Sequence, residues 1–482
     1  MNAPVRIYTV FTSSGLFGST GTYSFHHPDQ KVLSNEEILG EIRRRCEGVE
    51  FLGSTQVEKS AYTVANVQAR SQSLDGVLCF GSLPPGLMDL DIPVVAVHPL
   101  WGQWQYPFDA YQGKKVLTAT LPVIPDALAE TFSARLDAIA EKIRLLQAVA
   151  RLKSLKILCV TDVPTLGLYE PTAAQMAQEG REVYEQRYLT NLAALGAEII
   201  VRPQEEMVAK MKAVPEAEAG EVANRWVSQS EDVKGTNETE IRKSAGLYLA
   251  MKGMMEEYGA NAVTTEGYGV FMNYPGGPIP SQGLPSSQFC TDGIVATSET
   301  LVDSLVTQQL GLWMTGFAGL NGDYIVDPEN RKAYIGHCEC PFNPYGDDRR
   351  VPFVIRNLPQ WPIDQQETGG ACVQVKLPAN ESVTVAKLSV HDRKLSLFTG
   401  QTVSGEQLFR GWDDILCRTK LAINTDAEAL LENLDWATFG NHRVAFYGDH
   451  RKRFKDLATL VGYEAVEKDN GSNNTRNGRH HG

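Results

Sequence analysis

LKILCVTDVP, residues 155–164, decides how the chain divides. It is a short, nearly continuous apolar run, the composition of a strand covered on both faces of a parallel sheet. Just before it, residues 126–152 carry Leu136, Ile139, Ile143 and Leu146 at helical spacing. A long helix giving way to a fresh central strand predicts a boundary near residue 153.

Toward the amino end, VRIYTVFTSS (5–14) is rich in β-branched and aromatic residues and reads as a first strand. DGVLCFGSL (75–83) and IPVVAVHPL (92–100) are further apolar runs of buried-strand length, and residues 36–45 read as a charged helix. Residues 1–153 are therefore expected to form an open α/β domain. After the first strand comes GLFGSTGTYS (15–24), then His26 and His27. Such a loop can hold a ligand at the carboxyl edge of a parallel sheet. It lacks the glycine fingerprint for dinucleotides and the lysine of phosphate-binding loops.

Toward the carboxyl end the pattern repeats. A helix over 181–195, the strand AEIIVRP (197–203) and a helix over 240–259 follow, the last with Leu247, Leu249, Met251 and Met254 as core filler. ANAVTTEGYG (260–269) reads as a strand running into a loop, and LVDSLVTQQLGLWMTG (301–316) as a helix. Residues 154–350 thus read as a second open α/β domain, Rossmann-like as the first is. Beyond residue 350 the texture changes. CVQVKLP, SVTVAKLSV and KLSLFTG alternate apolar with polar residues between turns, which predicts antiparallel strands in a C-terminal domain of 351–465. A last helix is expected over 451–460. The polar, Asn/Gly-rich residues 466–482 read as a disordered tail.

A chain of 482 residues exceeds what one core usually supports, in keeping with several domains. The net charge of −13, from 45 Lys and Arg against 58 Asp and Glu, repels a phosphate backbone, and no nucleic-acid motif is present. The eight cysteines are scattered, unlike a secreted disulfide scaffold. Neither a signal-peptide core nor an apolar run of membrane-spanning length is seen, so a soluble protein of the reduced cytoplasm is expected.

Residues able to do chemistry concentrate between 264 and 340: Glu266 at the end of an expected strand, Asp292 and Glu299 near the start of the next helix, then Asp323, His337, Cys338 and Glu339. His442 follows late, before the apolar run VAFY. Carboxylates with one or two imidazoles suit divalent ions such as Mn²⁺ and Mg²⁺. Such an ion polarises a substrate carbonyl or hydroxyl while a free carboxylate moves a proton. HCEC (337–340) lacks the second cysteine pair of structural zinc sites.

On these segments the later part of the chain, about 260–463, resembles the L-fucose isomerase and L-arabinose isomerase superfamily. AVTTEG resembles the strand before that family's site. GLPSSQFCTDGIVATSET resembles the stretch that carries its first metal-ligand glutamate, which falls on Glu299. NGDYIVDPENRKAYIGHCECP resembles the segment with an acidic ligand, which falls on Gly322 or Asp323, of which only Asp323 can ligate, followed by a histidine, here His337. NHRVAFYGDHRKRFKDLATLVGYE resembles the terminal segment with a histidine ligand, here His442. The antiparallel stretch resembles the family's small β-barrel-like C-terminal region. Where the fucose isomerase side carries Cys-Glu-x-Asp, this chain has Thr297-Ser298-Glu299-Thr300, and Asp292 or Glu266 is the acid available to replace the missing one.

The resemblance implies a homo-oligomer, trimer or hexamer, that interconverts aldoses and ketoses with Mn²⁺ or a related ion such as Mg²⁺ or Co²⁺. The expected ligands are Glu299, His337 and His442, with Asp292 as a further candidate. Asp323 or Glu266 is the expected proton acceptor, and Glu299 counts among the residues acting directly on the reaction. His26, Trp101 and Trp104 are candidate sugar contacts. Two other classes fit the same residues: a glycoside hydrolase or lyase using paired carboxylates such as Glu266 with Asp292 or Glu299, and a non-catalytic sugar-binding protein. Convergence of Glu299, His337 and His442 on one point distinguishes the isomerase from both.

Overall fold

The structure is a computed structural model and describes residues 4–12, 33–99, 108–121, 129–162, 179–266, 279–346, 349–358, 370–405, 408 and 411–469. His26, Trp101 and Trp104 lie outside the described residues. The chain forms two compact units, one of Met1–Leu152 with Lys455–Glu464, the other of Lys153–Phe454 with Ala465–Gly482. No described helix is long and apolar enough to cross a membrane.

In the first unit β1 (Val5–Phe11), β2 (Val49–Val57), β3 (Gly76–Phe80), β4 (Val94–Pro99) and β5 (Val116–Leu121) form one sheet in the order β2-β1-β3-β4-β5. Every pairing in it is parallel. The central strand β3, GVLCF, is buried along its whole length, which is why it reads as an unbroken apolar run. Helix Ala129–Arg151 packs on β4 and β5 and buries Leu136, Ile139, Ile143 and Leu146. Gly76 admits no side chain, because a Cβ there would meet Leu146 of that helix.

The second unit opens with β6 (Lys156–Val160), β7 (Glu198–Arg202), β8 (Asp232–Lys234), β9 (Ala262–Thr265) and β10 (Val295–Thr297). Four of them make a parallel sheet, β10-β9-β6-β7. Helix Glu238–Tyr258 buries Leu247, Met251 and Met254 as expected. A further helix, Gly283–Thr291, is almost wholly buried.

The chain continues through β11 (Leu320–Asp327), β12 (Lys332–His337), β13 (Phe353–Arg356), β14 (Cys372–Val375), β15 (Ser382–Ser389), β16 (Lys394–Val403), β17 (Thr419–Asn424), β18 (His442–Tyr447) and β19 (Glu464–Glu467). Their main sheet runs β15-β18-β11-β12-β17-β16, and β16 returns to pair with β15. All six pairings are antiparallel, so the sheet closes into a six-stranded barrel with β19 on its edge at β16. Closure removes the unpaired edges that an open antiparallel sheet would expose. β8, β13 and β14 form a separate small sheet.

The fold is thus mixed α/β, with two parallel sheets and an antiparallel barrel. Strands from both sides of residue 350 share the barrel: β11 and β12 come before the change in sequence texture, β15 to β18 after it. Residues 466–467, placed in the tail by composition, belong to β19.

Candidate metal centre

Glu299, His337 and His442 converge. One ligand atom from each lies within 4.8 Å of the others, and among the described residues no other group of three His, Cys, Asp or Glu does this. All three belong to the second unit.

Each side chain is delivered by a different device. Glu299 follows the three-residue strand β10 and precedes helix Val302–Thr315. There the backbone is left-handed at two successive non-glycine residues, Glu299 (φ 65°) and Thr300 (φ 53°). A β-branched residue at positive φ is costly and persists only where its surroundings impose it. Here the Thr300 amide donates to the Thr265 carbonyl at 2.8 Å, tying the strained corner to the end of β9.

His337 ends β12 and His442 begins β18. β11 lies between those two strands, and its register sets Asp323 opposite His442 on one side and Gly336 on the other. The imidazole rings of His337 and His442 stand 5.5 Å apart. Both are buried.

The polarity of the centre follows from its hydrogen bonds. His442 Nδ1 lies 2.8 Å from Asn441 Oδ1. An amide oxygen only accepts, so Nδ1 carries the proton and Nε2 the lone pair. Burial, with His337, Lys387 and Arg443 nearby, drives the His442 pKa well below the ordinary imidazole value. Its Nε2 faces Glu299 Oε2 at 3.6 Å and Asp323 Oδ1 at 3.7 Å. A lone pair facing two carboxylates is favourable only with a positive charge among them.

His337 shows the same field. Burial opposes its charged form, but Glu339, Glu299 and Asp323 outweigh that and raise its pKa. Its Nδ1 is buried without a hydrogen bond, 3.8 Å from Glu339 Oε1. Donors of one carboxylate and two imidazoles, held by separate elements, fit a divalent cation. These residues therefore suit a divalent metal ion.

Asp323 stands beside the three ligands. Asn441 Nδ2 donates to its Oδ1 at 2.8 Å, and the Cys417 thiol approaches its Oδ2 at 3.9 Å. Burial raises its pKa, with His337 pulling the other way. Gly322, the alternative position for an acid, is confined to glycine: a Cβ there would lie 2.6 Å from the Gly336 carbonyl oxygen.

The remaining expected residues go elsewhere. Glu266 is buried at the end of β9, where its carboxylate accepts from the Asp162 amide at 3.1 Å and from Gln204 Nε2. Asp292 is exposed at the end of helix Gly283–Thr291 and accepts from Gln288 Nε2 at 2.8 Å. Neither belongs to the converging group. The two cysteines of HCEC diverge. Cys338 meets the thiols of Cys372 and Cys417, whose hydrogen bonds hold its pKa well below the thiol range against burial. Cys340 instead donates its backbone amide to the Ser287 hydroxyl oxygen at 2.9 Å.

Asn441 and Cys417 were not singled out from the sequence. Asn441 had a signal, since it immediately precedes His442. Cys417 had none, because only barrel closure brings β17 to β12.

No family model matches the chain, and no curated protein sequence matches it. Among solved structures it is similar to a two-component system response regulator/GGDEF domain protein at 11% identity, over 64% of this chain and 99% of that one, with a TM-score of 0.23. It is also similar to a carbohydrate transporter from Acidothermus cellulolyticus 11B in complex with myo-inositol, at 13% identity over 65% and 87%, with a TM-score of 0.16. At such scores neither likeness bears on fold or function.

Proposed function

We propose that this chain is a metal-dependent aldose–ketose isomerase acting on a pentose, hexose or deoxyhexose. The observation that carries the reading is the meeting of Glu299, His337 and His442 from three distant elements, with Asp323 beside them. A Glu/His/His donor set serves several ions and reactions. A partly buried carboxylate of raised pKa next to it favours proton transfer at carbon.

In this reading Glu299, His337 and His442 hold the cation, Mn²⁺ or a related divalent ion such as Mg²⁺ or Co²⁺. When bound, it supplies positive charge for the oxygens of a sugar carbonyl and the neighbouring hydroxyl. Asp323 is the base. It takes the proton from the carbon bearing that hydroxyl, leaving an enediolate, and returns it to the former carbonyl carbon, while the proton of the hydroxyl passes to the former carbonyl oxygen. Asn441 orients both partners, donating to Asp323 and accepting from His442. Burial raises the Asp323 pKa, which makes its carboxylate a stronger proton acceptor than an ordinary aspartate.

The reading extends to the family's architecture: the two parallel sheets as Rossmann-like units, and a trimeric or hexameric assembly in which His26, Trp101 and Trp104 contact the sugar.

The test is to strip the protein with chelator, restore Mn²⁺, and follow ketose formation across a panel of aldopentoses, aldohexoses and deoxyhexoses. Metal-dependent ketose production from one of them is expected, with solvent deuterium entering the product carbon. If every sugar is returned unchanged, with metal and without, the isomerase reading is lost.

A further inference from the structure

Three of the eight cysteines meet beside the metal centre, and the isomerase reading gives them no role. Cys338 follows His337 at the end of β12, Cys417 shortly precedes β17, and Cys372 opens β14. β12 and β17 pair with His337 opposite Thr419, which brings Cys338 and Cys417 to the same end of one ladder. The Cys338 sulfur is hydrogen-bonded with the thiols of both Cys372 and Cys417.

The corner that presents Cys417 is held by more than its own sequence. Leu416, a bulky residue, lies in the left-handed region at φ 51°. Lys420 Nζ fixes the turn, donating to the carbonyls of Ile415 and Cys417 at 2.8 and 2.7 Å. Ile415 and Leu416 are exposed, and Cys417 beside them is half-buried, as is Cys338. Cys372 is wholly buried, with its thiol on the Asn357 carbonyl at 3.4 Å. The Cys417 thiol also lies 3.9 Å from Asp323 Oδ2.

The three sulfurs do not form a metal-ligand group. Among the described residues only Glu299, His337 and His442 have ligand atoms all within 4.8 Å of one another. Two neighbouring thiols that solvent can reach are instead placed for oxidation to a disulfide.

We propose that Cys338 and Cys417 form a reversible disulfide, an oxidative modification site at the rim of the metal centre. With hydrogen peroxide as the oxidant, one sulfur attacks a peroxide oxygen and the O–O bond breaks, giving a sulfenic acid and one water. The second sulfur displaces the sulfenic oxygen, which forms the S–S bond and releases a second water. The two thiols give up two electrons and the peroxide takes them. Closing the bond brings the sulfurs to about 2 Å. It removes the thiol hydrogen facing Asp323 and pulls on the residue next to His337, so the oxidised centre holds a divalent ion less well. The proposal rests on the cysteine geometry beside the centre and does not need sugar isomerisation.

The test uses the full chain, reduced and chelator-treated, then exposed to hydrogen peroxide and mapped by mass spectrometry of unreduced peptides. A Cys338–Cys417 cross-link is expected. Mn²⁺ affinity, read by calorimetric titration, should fall about tenfold or more and return with dithiothreitol. Cys417→Ser should lose the cross-link and keep its Mn²⁺ affinity through the same treatment. Should that variant fail to fold, the map of the unaltered chain still decides. Cysteines left as thiols, a cross-link that omits either residue, or cross-linking that leaves Mn²⁺ binding unchanged overturns the proposal. A reduced protein that binds no Mn²⁺ removes the metal centre instead, and the peptide map still decides the disulfide.

Discussion

At the scale of single residues, the centre assigns different work to groups a few ångströms apart. His442 is kept neutral by burial, and Asn441 turns its lone pair toward Glu299 and Asp323. Replacing His442 or His337 with alanine should weaken binding of a divalent ion by more than about 100-fold, since even outer partners of metal ligands are worth 10–100-fold. Calorimetric titration of chelator-treated protein with Mn²⁺ checks this; unchanged affinity in both variants would remove the two imidazoles from the ligand set. Asp323→Asn separates base from ligand. It should keep most of the metal affinity and lose about 10²–10⁴-fold in turnover, the usual contribution of a general base. A variant that loses metal and turnover together would make Asp323 a ligand instead.

At the scale of elements, the site depends on how closely β11 and β12 approach at their shared rungs. A Cβ on Gly322 would stand 2.6 Å from the Gly336 carbonyl oxygen, a backbone atom that cannot swing aside. Gly322→Ala should therefore spread the two strands and cost about 1–3 kcal/mol, typical of overpacking. It should also shift His337 from His442, so that metal affinity falls although no ligand has changed. Urea denaturation with a parallel Mn²⁺ titration would show both effects, and normal stability would mean that the strands tolerate the added methyl. The strained corner at Glu299 and Thr300 works in the same way, with β9 holding a backbone shape that the local sequence does not favour.

At the scale of the whole molecule, the two units should answer to different solution variables. The proposed cation binds only within the second unit, so saturating Mn²⁺ should stabilise that unit by about 2.7 kcal/mol at a hundredfold excess over the dissociation constant. In calorimetry one transition should move upward with Mn²⁺ while the other stays in place. The first unit carries His98, fully buried beside Phe108 and Tyr111, with its pKa lowered by burial from 6.5 to about 4. The folded state thus favours the neutral ring. Its contribution is fully present above pH 6.5 and is lost as pH falls toward 4, a change on the order of 3 kcal/mol. His98→Phe should flatten that acid limb, as read from the urea midpoint against pH. An unaltered slope would place the acid sensitivity in other groups.

The sequence by itself determined the strands and helices whose apolar pattern is strongest. β3, β4, β6 and helix Ala129–Arg151 are legible because burial on both faces, or along one stripe, leaves a periodic record in the chain. It also pointed to Glu299, His337 and His442, through resemblance of the surrounding segments rather than spacing. Only the tertiary structure decided that β11 and β12 join β15 to β18 in one closed barrel, that Asp323 faces His442 across a strand pair, and that Glu266 and Asp292 turn to other partners. The reason is physical. Alternation along a strand records which side is buried, whereas strand order and closure also need pairings between residues far apart in the chain, such as Leu320 with Ala445 and His337 with Thr419, and no local pattern encodes which distant strand will supply the partner.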